Sequence, residues 1–202
     1  MLDHKLTWKH HISELRTKLG RGIGILCKLK KHKLPNKSLN GIYYSVFQCH
    51  LSYGITCWGF TTDENKEKIQ MLQNKCIRVI ENLKKDENTD LTRKNLGILS
   101  IDQLLKLEIA KVMWDFEHIN LPQDLSNLFH YVQHDNNAAI TRSCPNNLAR
   151  SRKIITETHG RNSLTFIGTK TLNELKLLPL FRTAKSKDDF VKEYKKILLS
   201  SC

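Results

Sequence analysis

Trp8-Lys9-His10-His11-Ile12-Ser13-Glu14-Leu15-Arg16-Thr17-Lys18-Leu19-Gly20-Arg21-Gly22-Ile23-Gly24-Ile25-Leu26-Cys27-Lys28-Leu29 is the stretch on which the reading of the fold turns. Trp8, Ile12, Leu15, Leu19, Ile23, Leu26 and Leu29 recur every three or four residues, the period at which side chains share one face of an α-helix. Lys9, Arg16, Lys18, Arg21 and Lys28 stand between them, with Lys30 and Lys31 just beyond, so the other face is basic. The spacing predicts one long helix, apolar on one side and cationic on the other. Gly20, Gly22 and Gly24 interrupt it, each at a cost of about 1 kcal/mol against alanine. They point to a kink, to a break, or to the close approach of another backbone.

Outward from this stretch the same period returns. Leu34-Pro35-Asn36 stops and restarts the chain, with Pro35 suited to the first turn of a helix carrying Leu39, Ile42, Tyr43, Val46 and Phe47. Thr61 with Glu64 has the spacing of a capping box ahead of Ile69, Leu72, Cys76, Val79, Ile80 and Leu83. A short helix is predicted over 90–96, ended by Gly97. Ser100 with Gln103 repeats the capping box ahead of Ile101, Leu104, Leu105, Ile109, Val112, Met113 and Phe116, and Pro122 closes that helix. Beyond it, Asn136-Asn137 and Pro145-Asn146-Asn147 break every periodicity. Residues 153–156 and 164–167 flank His159-Gly160-Arg161-Asn162 as the arms of a hairpin would, and Ser186 is placed to cap a last helix. The expected fold is mainly α. It comprises a helical domain over 1–122, a loop or linker over 123–150, and a small basic α+β segment over 151–202 with a short β-hairpin.

A chain of 202 residues has a formal charge of +13. A surface so basic attracts polyanions and repels itself without one. The excess is concentrated. Ten lysines and arginines fall within the first forty residues against Asp3 and Glu14, and Arg142, Arg150, Arg152, Lys153 and Arg161 form a second cluster. Nucleic acid is the expected partner, held through its phosphates. No run of eighteen apolar residues is present, so no membrane partner is expected. The start, Met1-Leu2-Asp3-His4-Lys5, lacks the apolar core of a secretory signal, so the chain is expected inside the cell, nuclear or cytoplasmic, with its cysteines reduced.

Reactive constellations are sparse. The six cysteines never pair as C-x2-C or C-x4-C, and Cys49 and Cys57 read as core thiols of an apolar stretch. His130 and His134 lack the Glu of H-E-x-x-H, and Gly20-Arg21-Gly22-Ile23-Gly24 lacks the spacing of a phosphate-binding loop. Asp63-Glu64 and Asp188-Asp189 fall at helix starts, where the macrodipole favours acids. Two-metal phosphoryl transfer needs carboxylates from separate segments, and no strand with paired aspartates supplies them. Neither catalytic residues, nor a metal site, nor a cofactor is expected in this chain.

A series of blocks, in order, resembles the segment that follows the catalytic palm in jockey-like, non-LTR (LINE-type) reverse transcriptases. Leu2-Asp3-His4-Lys5-Leu6-Thr7-Trp8-Lys9-His10-His11-Ile12 is similar to the family's L-D-x-x-L-x-W-x-x-H-I at the start of the thumb. Ile23-Gly24-Ile25-Leu26, Tyr43-Tyr44-Ser45-Val46-Phe47, Leu51-Ser52-Tyr53-Gly54 and Cys57-Trp58-Gly59 come next. Leu72-Gln73-Asn74-Lys75-Cys76-Ile77-Arg78 resembles the L-Q-x-K-x-I-R block. Leu96-Gly97-Ile98-Leu99-Ser100-Ile101, Thr141-Arg142 and Gly168-Thr169-Lys170-Thr171-Leu172-Asn173 complete the series, with Leu172 where the family usually has Trp.

The resemblance implies a thumb that grips template–primer duplex, RNA or DNA, by its backbone, beside upstream palm and fingers. The palm would hold the aspartates and their magnesium, so this chain alone is expected to be inactive as a polymerase. The binding residues expected are Lys9, Arg16, Lys18, Arg21, Lys28, Lys30 and Lys31 on the first helix, with Arg142, Arg150, Arg152 and Lys153 in the tail. Tyr43, Tyr44, Phe47, Trp58 and Leu72 read as core packing. The alternatives are a non-catalytic helical protein-interaction module and a retrotransposon relic without independent function.

Overall fold

The structure, a computed structural model, describes residues 8–131, 149–150 and 163–200. The chain is mainly α-helical and divides into two compact units. One holds the residues up to Leu105 together with those from Leu198 onward, and the other runs from Lys106 to Ile197.

In the first unit α1 (Lys9–Lys31) is unbroken. Ile12, Leu15, Leu19, Ile23 and Leu26 are buried along one face and pack against α5 (Asp63–Glu81), which buries Ile69, Cys76, Ile77 and Ile80. The break allowed for at the glycines is absent. Burying a Leu or Ile on each successive turn is worth about 1.5–3 kcal/mol per side chain, which outweighs the glycine penalty. The close approach is real at Gly22, where a Cβ would sit 3.6 Å from Val46 Cγ1 and 3.8 Å from the Val46 carbonyl oxygen. Gly20 and Gly24 face solvent.

α2 (Asn36–Ile42) starts after Pro35, whose carbonyl accepts from the Ser38 and Leu39 amides, so Pro35 stands just ahead of the first turn and not within it. The helix widens into a π-helical segment, Tyr43–Gln48, before α3 (Cys49–Ser52) and α4 (Ile55–Trp58). Tyr43, Phe47, Leu51, Ile55 and Trp58 take the core positions here. Cys49 and Cys57 are left exposed, contrary to their reading as core thiols.

The capping box expected at Thr61 does not form. Thr62 is the N-cap of α5, and the Thr61 hydroxyl instead accepts from Asn65 Nδ2 at 2.9 Å. α6 (Asp90–Asn95) is followed by Gly97 at φ 66°. The second box is made: the Ser100 amide donates to Gln103 Oε1 at 2.9 Å, and the Gln103 amide to Ser100 Oγ at 3.3 Å, at the start of α7 (Ile101–Glu117).

The second unit is built on the rest of α7, α8 (Gln123–Ser126), α9 (Leu164–Lys176), α10 (Pro179–Thr183) and α11 (Lys187–Ser200). Trp114 stacks on Phe190 at 4.5 Å between centroids and meets Phe181 edge-on at 5.3 Å. Gly168 brings α9 close to α7, since a Cβ there would lie 3.0 Å from Met113 Cε. Residues 164–167 are therefore helix and not a hairpin arm. Ser163 caps them through the Phe166 amide, and the 3.6-residue period of Leu164, Gly168, Leu172 and Leu175 packs where alternation would not. The other arm, 153–156, lies outside the described residues. A strand pair is present elsewhere: β1 (His130–Tyr131) runs antiparallel to β2 (Ala149–Arg150). Ser186 caps α11 as predicted, its Oγ accepting from the Asp189 amide at 3.2 Å.

Candidate nucleic-acid interface

α1 carries seven lysines and arginines and one acid, Glu14. An α-helix turns about 100° per residue, and this sorts the seven. Lys9 and Arg16, seven apart, lie together on one edge of the exposed face, and Arg21 and Lys28, also seven apart, lie about 120° further round. Lys31 falls between the two rows near the C-terminal end, and Lys18 sits beyond the second row. All six are exposed. Among the described residues none of the six enters an ion pair, although Lys9 is near enough to Glu64 to help Lys68 hold that carboxyl below its usual range.

Lys30 belongs to the scaffold. It points to the core side of α1, where its ammonium donates to the Ile80 carbonyl at 2.7 Å and to Asn36 Oδ1 at 2.8 Å, while Asn36 Nδ2 donates to Glu81 Oε2 at 3.0 Å. A cation on the last carbonyls of α5 satisfies groups that the helix leaves open. Arg142, Arg152 and Lys153 lie outside the described residues. Arg150 stands in β2 opposite His130, and its side chain is not described.

The strip between the two rows of cations went unread in the sequence. Ser13, Thr17, Gly20 and Gly24 are exposed and fall between Lys9–Arg16 and Arg21–Lys28 around the helix. A Cβ on Gly20 or Gly24 would meet nothing within 4 Å. The result is a shallow track with cationic margins. Its signal in the sequence is the spacing of the small residues, a surface property that apolar periodicity does not register.

The aromatic residues near this helix are packing groups. Tyr43, Phe47 and Trp58 are buried, and Leu72 is partly so. The Tyr43 hydroxyl donates to Gln48 Oε1 and accepts from Gln73 Nε2, both at 2.9 Å. Burial holds it protonated far above the usual phenol range, an effect that the Gln73 hydrogen bond offsets in part. The paired acids do what helix starts ask of them: Asp63 pairs with Lys66 at 3.7 Å, and Asp189 Oδ2 accepts from Ser186 Oγ at 2.9 Å. Among the described residues no three His, Cys, Asp or Glu side chains gather to hold a metal ion, and no helix is long and apolar enough to cross a membrane.

Fold and surface together define a mainly helical chain with a cationic helix face. An 84-residue stretch, 40% of the chain, is 32% identical to the probable RNA-directed DNA polymerase from transposon X-element of Drosophila melanogaster. The chain thus contains a region related to a transposon-encoded RNA-directed DNA polymerase, and the match spans 9% of that relative's length. No family model matches, and no solved structure matches.

Proposed function

We propose that this chain is a post-palm, thumb-like part of a jockey-like non-LTR reverse transcriptase, and that the outward face of α1 holds template–primer duplex by its phosphates. The observation that carries the reading is the pair of cationic rows flanking a small-residue track. Unpaired cations lose little in moving from water to phosphate, because they leave no carboxylate partner behind. Lys9 to Lys31 spans about 33 Å at 1.5 Å per residue, close to the roughly 34 Å of one duplex turn. Contacts of this kind fix register and orientation and carry no base sequence. Primer extension would need the palm's paired aspartates and magnesium, so this chain with nucleotides and magnesium leaves a primer unextended.

Replacing Gly20 and Gly24 by Gln tests the track. The side chains would occupy it while raising helix propensity by several tenths of a kcal/mol each. Binding of a labelled RNA–DNA hybrid should weaken while the melting temperature holds or rises. Undiminished binding by that variant removes the face of α1 from the interface.

A further inference from the structure

The outward face of α5 bears a groove that the phosphate track does not involve. Asn82 adopts the left-handed conformation at φ 57° and ends the helix, and the Asn82 and Leu83 amides both turn back to the Arg78 carbonyl. This turn lays Leu83 and Lys85 beside the last turn of α5. Arg78 Nη2 donates to the Glu87 carbonyl at 3.3 Å and ties down the loop after the helix. With Met71, Lys75 and Val79 these residues enclose an open cavity of about 640 Å3. Pockets that bury a ligand run from roughly 300 to 1,000 Å3.

Its chemistry is two-fold. Met71, Val79 and Leu83 make an aliphatic floor, and Met71 is 61% exposed, an apolar side chain left open to water. Lys75, Arg78 and Lys85 make the rim, and no acid is among the lining residues. Glu81, on the same helix, is turned toward α2 by Asn36. The lining includes no aromatic ring on which a nucleobase could stack, and stacking is what single-strand sites use. A bare phosphate would engage the cations and leave the floor wet. A ligand with apolar anchors and flanking carboxylates satisfies both parts, and methionine adapts its shape to such anchors.

We propose that this groove receives an acidic amphipathic helix of a partner protein, its aliphatic side chains on Met71, Val79 and Leu83 and its carboxylates on Lys75, Arg78 and Lys85. This is the helix-in-groove mode, with charge complementarity setting the register. It stands apart from the nucleic-acid reading, since it uses none of the exposed α1 cations.

The test uses the full chain and a labelled helical peptide with leucine at i, i+3, i+4 and i+7 and glutamate between. Saturable binding is expected. Lys75→Glu with Lys85→Glu should weaken it on the order of tenfold or more, and Met71→Asn should weaken it independently. Arg16→Ala with Arg21→Ala and Lys28→Ala should leave it unchanged, so its failure and the failure of the α1 reading are separable. All the replaced groove residues are surface groups, and matching thermal melts establish that the variants are folded. Absence of saturable binding, or binding that survives both groove variants, overturns the proposal. So does an oligouridylate or a phosphatidylserine vesicle that binds through Met71 and Lys75 while the peptide does not.

Discussion

Gln73 is a polar side chain that the first unit buries completely. Its amide nitrogen donates to the Tyr43 hydroxyl and to the Leu99 carbonyl, both at 2.9 Å, and its oxygen accepts from Gln70 Nε2 at 2.8 Å. It thereby links the π-helical segment, α5 and the approach to α7. Gln73→Ala would leave the Leu99 carbonyl unpaired beside a new void, at a cost of about 2–4 kcal/mol, readable in urea denaturation; a loss below about 0.5 kcal/mol, the range of surface substitutions, would contradict this role. His11 is a second residue with a measurable signature. Its ring lies 6.0 Å from both Trp8 and Trp58, and its Nε2 is shielded from solvent without a hydrogen-bond partner. Burial lowers its pKa below the ordinary 6.5, Lys18 adds to the shift, and Glu14 opposes it. The unfolded chain then binds this proton more readily than the folded one, so the stability His11 contributes is full above 6.5 and is lost as pH falls through that value toward the folded pKa. Thermal melts between about pH 7.5 and 5.5 should fall more steeply for the native chain than for His11→Gln; parallel curves would refute the assignment. Neither residue was legible in advance. Gln73 sits in a stripe that apolar periodicity cannot register, and His11 packs against Trp58, forty-seven positions away.

Among the elements, α1 was the most legible, because seven apolar positions at helical spacing leave no competing period. Its glycines behave in two ways. Gly22 meets Val46 and Phe47, whereas Gly20 and Gly24 stand over open space. Gly20→Ala and Gly24→Ala should therefore each stabilise the chain by about 0.5–1 kcal/mol, visible as a raised denaturation midpoint. Destabilisation by either would show that another group covers that face. Capping was read correctly where donor and acceptor are reciprocal, at Ser100–Gln103, and wrongly where a nearby amide competes, as Asn65 does for Thr61. The π-helical segment left no trace in the sequence. It inserts extra residues per turn and so rotates the helical turn after it, which puts Leu51 inside and Cys49 outside. Residues 164–167 misled because Leu, Thr, Phe and Ile suit a strand locally. Only the close approach of Gly168 to Met113 and Phe129, with Leu172 and Leu175 buried further along the same helix, decides for a helix.

At the scale of the molecule, the charge of +13 was the most informative property of the sequence, and the structure refines where it can act. Lys30 is withdrawn into the scaffold, and six cations remain exposed along α1. Composition could indicate a polyanionic partner but could not separate a structural lysine from an exposed one, since that depends on the carbonyl that α5 presents. The mainly helical class was legible for the opposite reason: amphipathic periodicity repeats in nearly every segment and needs no long-range information.

Phosphate binding by the outward face of α1 is the central claim, and its most direct test is the salt dependence of affinity for an RNA–DNA hybrid between roughly 50 and 200 mM salt. The logarithm of the association constant should fall linearly with that of salt concentration, and replacing Arg16, Arg21 and Lys28 together by Ala should flatten the slope by about 2–3 units. Superimposable slopes for the native and substituted chains, or no binding at the lowest salt, would contradict the account.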